Sequence, residues 1–251
     1  MFREKMHFIF NGQRSTDFGI INCAVDDGLF REEFLSNRSI NELSVAGADT
    51  PYFEGVKREP RQLKLRFWMS ESWDEKKIND IAEWLDVDYY QPLSFMPEDY
   101  VYYCIPVDIT EIVHNGLKDG YLELNMRCDS PYKYSPITTV HQKVENYKTI
   151  EIRNTGRIKI TPEITIVKKG DGDISLSNLS NFNGKPFTLT NLEDGETIII
   201  DGEYETIQSN RYSNLRYENS NEEYLWLRYG VNRIKIEGSC QINFTYQCTH
   251  N

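Results

Sequence analysis

From residue 150 onward, short runs of alternating apolar and polar residues recur along the chain: TIEIRN, KITPEITIVKK, DISLSN, FTLTNL, ETIIID, EYLWLRYG, NRIKIEG and QINFTYQC. An alternation of period two is what a strand requires when one face meets a core and the other meets water. The segments between the runs, NTG, KGDGD, LEDGE and DGE, carry the Asn, Asp and Gly of tight turns. Helical periodicity is nearly absent here. Short strands spaced by about eight to twelve residues predict a sandwich or barrel.

The first half is also strand-rich but holds one helix. QLKLRFWM at 62–69 places Leu63, Leu65 and Phe67 on one side and Lys64 and Arg66 on the other. SESWDEKKINDIAEWLD then predicts a helix at about 73–86. Ser72 and Glu75 read as a capping box, with Asp74 adding charge to the first turn and Ile78, Ile81, Ala82 and Leu85 on one face, flanked by Trp84. PLSF, YVYYCIPVDI and a hairpin turning at LKDG follow; in YLELNMRC, Leu122, Leu124, Met126 and Cys128 alternate with polar residues. Residues 30–61 show mixed polarity without a sustained period, as a long loop or projecting arm would, and such segments in compact domains are often functional. CDSPYKYSP at 128–136 has two prolines and two tyrosines, and reads as the joint between two β-rich units.

Composition excludes several classes. The apolar runs are too short to span a bilayer, and the N-terminus lacks an apolar stretch of signal-peptide length, so folding in the cytoplasm of the producing cell is expected. Five cysteines (Cys23, Cys104, Cys128, Cys240 and Cys248) without a CxxC pair point to buried free thiols rather than disulfides or zinc, and the four histidines are scattered. Residues 1–136 carry 15 Lys+Arg against 24 Asp+Glu, a charge of −9; residues 137–251 carry 13 against 15, a charge of −2. An acidic surface disfavours nucleic-acid binding, and the asymmetry suggests two different jobs.

Candidate sites are sparse. Asp171-Gly172-Asp173 resembles the start of a calcium loop but lacks the later ligands, so a strand-connecting turn is the simpler reading. Glu32-Glu33 and Glu222-Glu223 are carboxylate pairs, yet glycoside hydrolysis needs two carboxyls facing a bond across a cleft. No nucleophile elbow or P-loop is present. Tyr224 and Trp226, with Tyr229 nearby, would share one face of a strand in YLWLRY; they are either core residues or a platform on which a sugar stacks.

FNGQRSTDFGI, VAGADTPYFEG, QLKLRFWM, INDIAEWLD, PLSF, DYVYYCIPVDI and LNMRCDSPYKYS, followed by NTGRIKITPEITIVKKGDGDISLSN, FTLTNLEDGETIIIDGE and LRYGVNRIKIEGSCQINFTY, occur in an order that resembles the distal tail proteins of siphophages infecting Gram-positive bacteria. The resemblance covers essentially the whole chain. It implies a mainly β protein of two sandwich-type domains, residues 1–134 with the helix and an extended arm, and residues 135–251 as a galectin-like or carbohydrate-module-like sandwich. It further implies a structural hub at the virion tail tip, assembled in the host bacterial cytoplasm, with no catalysis and no cofactor. Such hubs form a homohexameric ring that joins the tail tube protein to the tail-associated hub or lysin protein, often support receptor-binding proteins, avoid membranes, and let DNA pass only as cargo. Val45, Gly47, Asp49 and Tyr52 lie in the presumed arm and are the expected subunit-interface residues. Part of the first half's acidity would line the lumen. A glycan-binding module for host-wall attachment, using Tyr224 and Trp226, is the alternative. Relatives with that role carry a large inserted module, for which 251 residues leave no room.

Overall fold

The computed structural model describes residues 7–23, 35–69, 74–96, 99–108, 112–114, 116, 120–182, 184–211 and 216–251. The backbone divides into two units, residues 1–134 with Asn251, and residues 135–250. Both are mainly β, and their sheets form β-sandwich-like bodies.

The first unit contains β1 (His7–Phe10), β2 (Gln13–Arg14), β3 (Ile20–Asn22), β4 (Arg38–Leu43), β5 (Tyr52–Arg58), β6 (Gln62–Met69), α1 (Glu75–Leu85), β7 (Gln91–Met96), β8 (Val101–Val107), β9 (Ile112–His114), β10 (Gly120–Cys128) and β11 (Lys133–Tyr134). Its main sheet runs β2-β1-β7-β8-β10-β6-β3, with β9 beside β10 and β11 beside β8. The pleat sets which side chains meet. Leu122 faces Phe67, Leu124 faces Leu65, and Cys128 faces Cys104 across the antiparallel ladders. Leu122, Leu124, Met126 and Cys128 are all buried, as their alternation predicts.

Helix α1 covers this apolar face. The Trp84 ring stacks on Phe18 at 4.3 Å and on Phe8 at 5.6 Å, and Phe8 stacks in turn on Phe67 at 4.8 Å. The indole Nε1 donates to the Phe10 carbonyl at 3.0 Å, so the ring is buried with its one polar atom satisfied. Two details differ from the sequence reading. Asp74, not Ser72, is the N-cap: its backbone is extended and its carboxylate accepts from the Lys77 amide at 2.7 Å. Ser72 lies outside the described residues, and Glu75 is the first helical residue rather than the third, so it cannot close a capping box. The buried stripe centres on Ile81 and Trp84, while Ala82 is exposed. The indole, with the largest apolar surface on the helix, gains the most from removal from water.

The second unit holds β12 (Thr138–Val144), β13 (Tyr147–Asn154), β14 (Glu163–Lys168), β15 (Gly172–Asn178), β16 (Phe187–Leu192), β17 (Thr197–Asp201), β18 (Thr206–Ser209), β19 (Gly230–Glu237) and β20 (Cys240–Tyr246). One sheet runs β12-β20-β14-β17-β18 and the other β13-β19-β15-β16. Inward residues of both, among them Ile164, Ile166, Ile198, Phe244, Ile152, Ile174, Leu176, Phe187 and Ile236, make one core, the arrangement of a β-sandwich. EYLWLRYG is not a strand. Residues 221–229 carry no regular secondary structure, Glu222 has a φ of 55°, and Leu227 makes a single bridge to Ile160. In its place β12 completes the first sheet, paired with β20 over Thr138–Val144; its mostly polar, exposed side chains give little alternation to read.

A buried ion pair lies between the β16–β17 turn and the segment after β18. Both Glu196 carboxylate oxygens meet the Arg216 guanidinium, at 2.9 and 2.7 Å, and Ser209 and the Glu193 amide donate to the same carboxylate. Burial pushes the Glu196 carboxyl up, but the Ser209, Glu193 and Arg216 interactions outweigh it and hold it below the usual range. A folded-state value below the unfolded one gives stability that is present above about pH 4.3 and lost as pH falls through the folded value. Glu196→Gln leaves a buried guanidinium without its carboxylate and is expected to destabilise this unit by about 3–5 kcal/mol. Urea unfolding at neutral and acid pH tests this: the stability gap between wild type and variant should shrink as the pH falls through the folded value of Glu196.

Candidate functional site

Two places stand apart from the packed cores. The first is the hairpin of β4 and β5, which pair with each other and with no further strand among the described residues. Its register is Arg38–Arg58, Ser39–Lys57, Ile40–Val56 and Asn41–Gly55, then Glu42–Phe53 and Leu43–Tyr52, so that Glu54 is the extra residue of a bulge. Alternation along β4 puts Ile40, Val56 and Phe53 on one face and Leu43 and Tyr52 on the other. These side chains are not covered: Phe53 is 68 % exposed, Tyr52 65 %, Ile40 63 % and Leu43 54 %. Both faces of the arm therefore present apolar groups to solvent.

The hairpin reverses at Val45–Ala48, where the Ala48 amide donates to the Val45 carbonyl at 3.1 Å. Gly47 sits in this turn at φ 88°, in the left-handed region that a side chain disfavours. At the base, the Glu59 amide donates to Asn37, and Arg58 Nη1 donates to the Tyr132 hydroxyl at 3.1 Å. The Arg61 amide donates to the Ser130 carbonyl, and the Cys128 amide to the Arg61 carbonyl. Part of CDSPYKYSP thus anchors the root of the arm. Of the residues expected at an interface, Val45, Gly47 and Asp49 lie in the turn and the loop after it, and Tyr52 opens β5; all four are exposed. Ile40, Leu43, Phe53 and Val56 were not singled out in the sequence. Their spacing, Ile40 and Leu43 three apart and Tyr52 beside Phe53, follows no strand period that would have marked them.

The second place is a cavity of about 360 Å³ in the second unit, lined by Asn178, Asn181, Phe182, Lys185, Glu223, Tyr224 and Trp226 among others. Leu225 and Leu227 are buried in the sandwich core, and the half-buried Tyr224 packs against it, its ring 6.0 Å from that of Phe187. Trp226 is also half-buried, with the Lys159 ammonium 5.9 Å from its ring. The Trp226 carbonyl accepts from Asn178 at 2.9 Å and Asn181 at 3.2 Å. The Tyr224 hydroxyl donates to the Glu205 carbonyl at 2.7 Å; burial first, then Tyr217, Glu205 and Glu222, push its pKa up to about 12. Lys185 pairs with Glu223 at 2.6 Å on the rim, a contact that raises the lysine. Tyr229 is exposed and does not line the cavity.

The remaining acidic candidates have local roles. Asp171 accepts from the Asp194 amide and Asp173 from the Asn191 amide, so both carboxylates brace strand connections. Glu32 and Glu33 lie outside the described residues. Among the described residues, no cluster of His, Cys, Asp and Glu is arranged to hold a metal ion.

Residues 3–130 match the family described as Phage tail protein N-terminal domain, and residues 132–246 match the one described as Phage tail C-terminal domain. The SPbeta prophage-derived uncharacterized protein YomH of Bacillus subtilis (strain 168) is 38 % identical over 250 residues, 98 % of each chain. Among solved structures, the SPP1 Dit (gp 19.1) protein, described as a paradigm of the hub adsorption apparatus in phages infecting Gram-positive bacteria, superposes with a TM-score of 0.70. Its identity is 18 %, over 96 % of this chain and 98 % of that one. A chain of the phage P2 baseplate in its activated conformation with Ca superposes with a TM-score of 0.54 at 8 % identity, over 95 % and 97 %. At such identities the likeness is one of fold.

The arm's geometry is testable by itself. Gly47→Ala places a Cβ in a left-handed turn and is expected to cost about 1–2 kcal/mol of hairpin stability. Amide exchange within Arg38–Arg58 should then accelerate by roughly fivefold or more, with exchange in β10 unchanged.

Proposed function

The chain belongs to the phage tail protein family, and from that premise we propose that it is a structural hub of the tail tip that assembles into a homohexameric ring through its arm. The ring joins the tail tube protein to the tail-associated hub or lysin protein and carries receptor-binding proteins. Its place is the tip of the virion tail, with assembly in the host cytoplasm; its role is to dock, not to catalyse. The carrying observation is the β4–β5 hairpin, which holds Ile40, Leu43, Tyr52, Phe53 and Val56 in solvent on both faces.

Four points support the reading. A two-stranded hairpin alone is marginal in water, and a third surface against its apolar face stabilises it. Closed rings need self-complementary or head-to-tail surfaces, and an arm adds buried area without enlarging the core. The fold shared with SPP1 Dit and a phage P2 baseplate chain fits the same role. The −9 charge of residues 1–136, turned toward a lumen, would repel passing DNA and keep it from adhering.

Phe53→Ser and Ile40→Ser together test the arm. Both side chains are exposed, so urea unfolding of the variant should stay within about 0.5 kcal/mol of wild type. Light scattering after size exclusion should give six 29.5 kDa chains for the wild type and single chains for the variant. A wild type that stays monomeric at every concentration, or a variant that still forms hexamers, contradicts the proposal.

A further inference from the structure

We propose that Cys104 and Cys128 are the two halves of a cross-strand disulfide, closed by dioxygen once the chain is away from cytoplasmic reductants. The two residues face each other across the β8–β10 ladder. The backbone shows which kind of pair they form. The Asp129 amide donates to the Tyr103 carbonyl, so Asp129 and Tyr103 are the hydrogen-bonded pair next along the ladder. The Cys128 amide instead turns away to the Arg61 carbonyl at 2.8 Å. Cys104 and Cys128 are therefore a non-hydrogen-bonded pair, in which the Cα atoms lie about 4.5 Å apart and the side chains come closest. That separation falls inside the range of about 4.4–6.8 Å that a disulfide spans. Both side chains lie in the core, fully buried. The two thiols are hydrogen-bonded to each other, which together with burial holds the Cys104 thiol above its ordinary value.

The other three cysteines are placed differently. Cys240 faces Val144 on one side and Lys168 on the other, the Cys248 thiol donates to the Arg153 carbonyl, and Cys23 lies just beyond β3. The thiolate is the form that oxidises, so a thiol kept protonated in a core stays reduced while reductant is present. Cys128 ends β10, and the next residue, Asp129, is exposed, so fraying at the strand end admits a small apolar oxidant. In the step, each thiol loses its hydrogen and one S–S bond replaces two S–H bonds. Dioxygen takes up the two protons and two electrons and leaves as hydrogen peroxide. The product fastens β8 to the end of β10, whose last amide holds the Arg61 carbonyl at the root of the arm. The closure itself does not depend on ring assembly. On the tail-tip reading, it locks the footing of the arm after the particle leaves the reducing cytoplasm.

The test uses the full chain, purified under reductant and then held in air-saturated buffer with copper(II)–phenanthroline as catalyst. The thiol count in denaturant should fall from five to three as two are joined, and the intact mass should drop by two hydrogens. Peptide mapping should join Cys104 to Cys128. The first unit of the oxidised chain should melt about 5 °C or more above the reduced form, because the bond closes a loop in the unfolded state. Cys128→Ala should keep all its remaining thiols, and Cys23→Ser should still lose two; the wild-type peptide map decides even where the first variant fails to fold. Five thiols persisting in the treated wild type, a bond joining any other pair, or an oxidised chain that melts no higher than the reduced one would overturn the proposal. Oligomeric state is read separately by light scattering, so failure here leaves the ring reading standing.

Discussion

A pair of antiparallel strands with apolar side chains on both faces is not a stable object in water. The β4–β5 hairpin is such a pair: its backbone hydrogen bonds are internal, while Phe53, Tyr52, Ile40 and Leu43 remain more than half exposed. Each of the two units closes a core of its own, around Trp84 and its neighbouring phenylalanines in one, and between two sheets in the other. Neither core covers the arm's apolar side chains. In the proposed ring the surface that completes them is supplied by another chain, which is how the fold would be linked to assembly.

The root of the arm shows how such a projection is kept in a defined direction. Arg58, Arg61 and Glu59 tie the hairpin's base to Tyr132, Ser130 and Asn37, and Cys128 binds back to the Arg61 carbonyl. Tyr134, a few residues on, bonds Ser130 and packs edge-on against Tyr103 at 5.4 Å. The proline-flanked tyrosines are thus a rigid footing built from side chains with one apolar face and one polar tip. A bulge at Glu54 then changes the twist beyond the base, as extra residues in one strand do.

Where one face of a strand meets a core, the sequence could be read closely. Phe67, Leu65, Leu122, Leu124 and Met126 alternate, and all are buried. Elsewhere, burial is decided by partners distant in the chain. YLWLRY alternates like a strand, yet it bridges only at Leu227, because Leu225 and Leu227 fill the sandwich core from a segment without regular structure. Conversely, β12 pairs along its length with almost no apolar signal, since backbone hydrogen bonds to β20 are indifferent to side chains. The helix was readable as a helix, but the choice of Asp74 over Ser72 as its cap depended on backbone geometry. The arm was readable only as a stretch without core periodicity. Its two apolar faces emerge once the register is known, and that register places Val45, Gly47 and Asp49 at the turn end rather than on the faces. Phe182 gave no sequence signal, because only the folding of residues near 181 and 226 brings it to the cavity.

The most direct measurement is electron microscopy of the assembled tail tip at side-chain resolution, with this chain located in the map. The expected result is a sixfold ring in which Phe53, Ile40 and Tyr52 of each copy are buried against a neighbouring subunit. A map in which the β4–β5 hairpin projects uncovered into solvent, or in which the chain lies outside any ring, would contradict the assembly role.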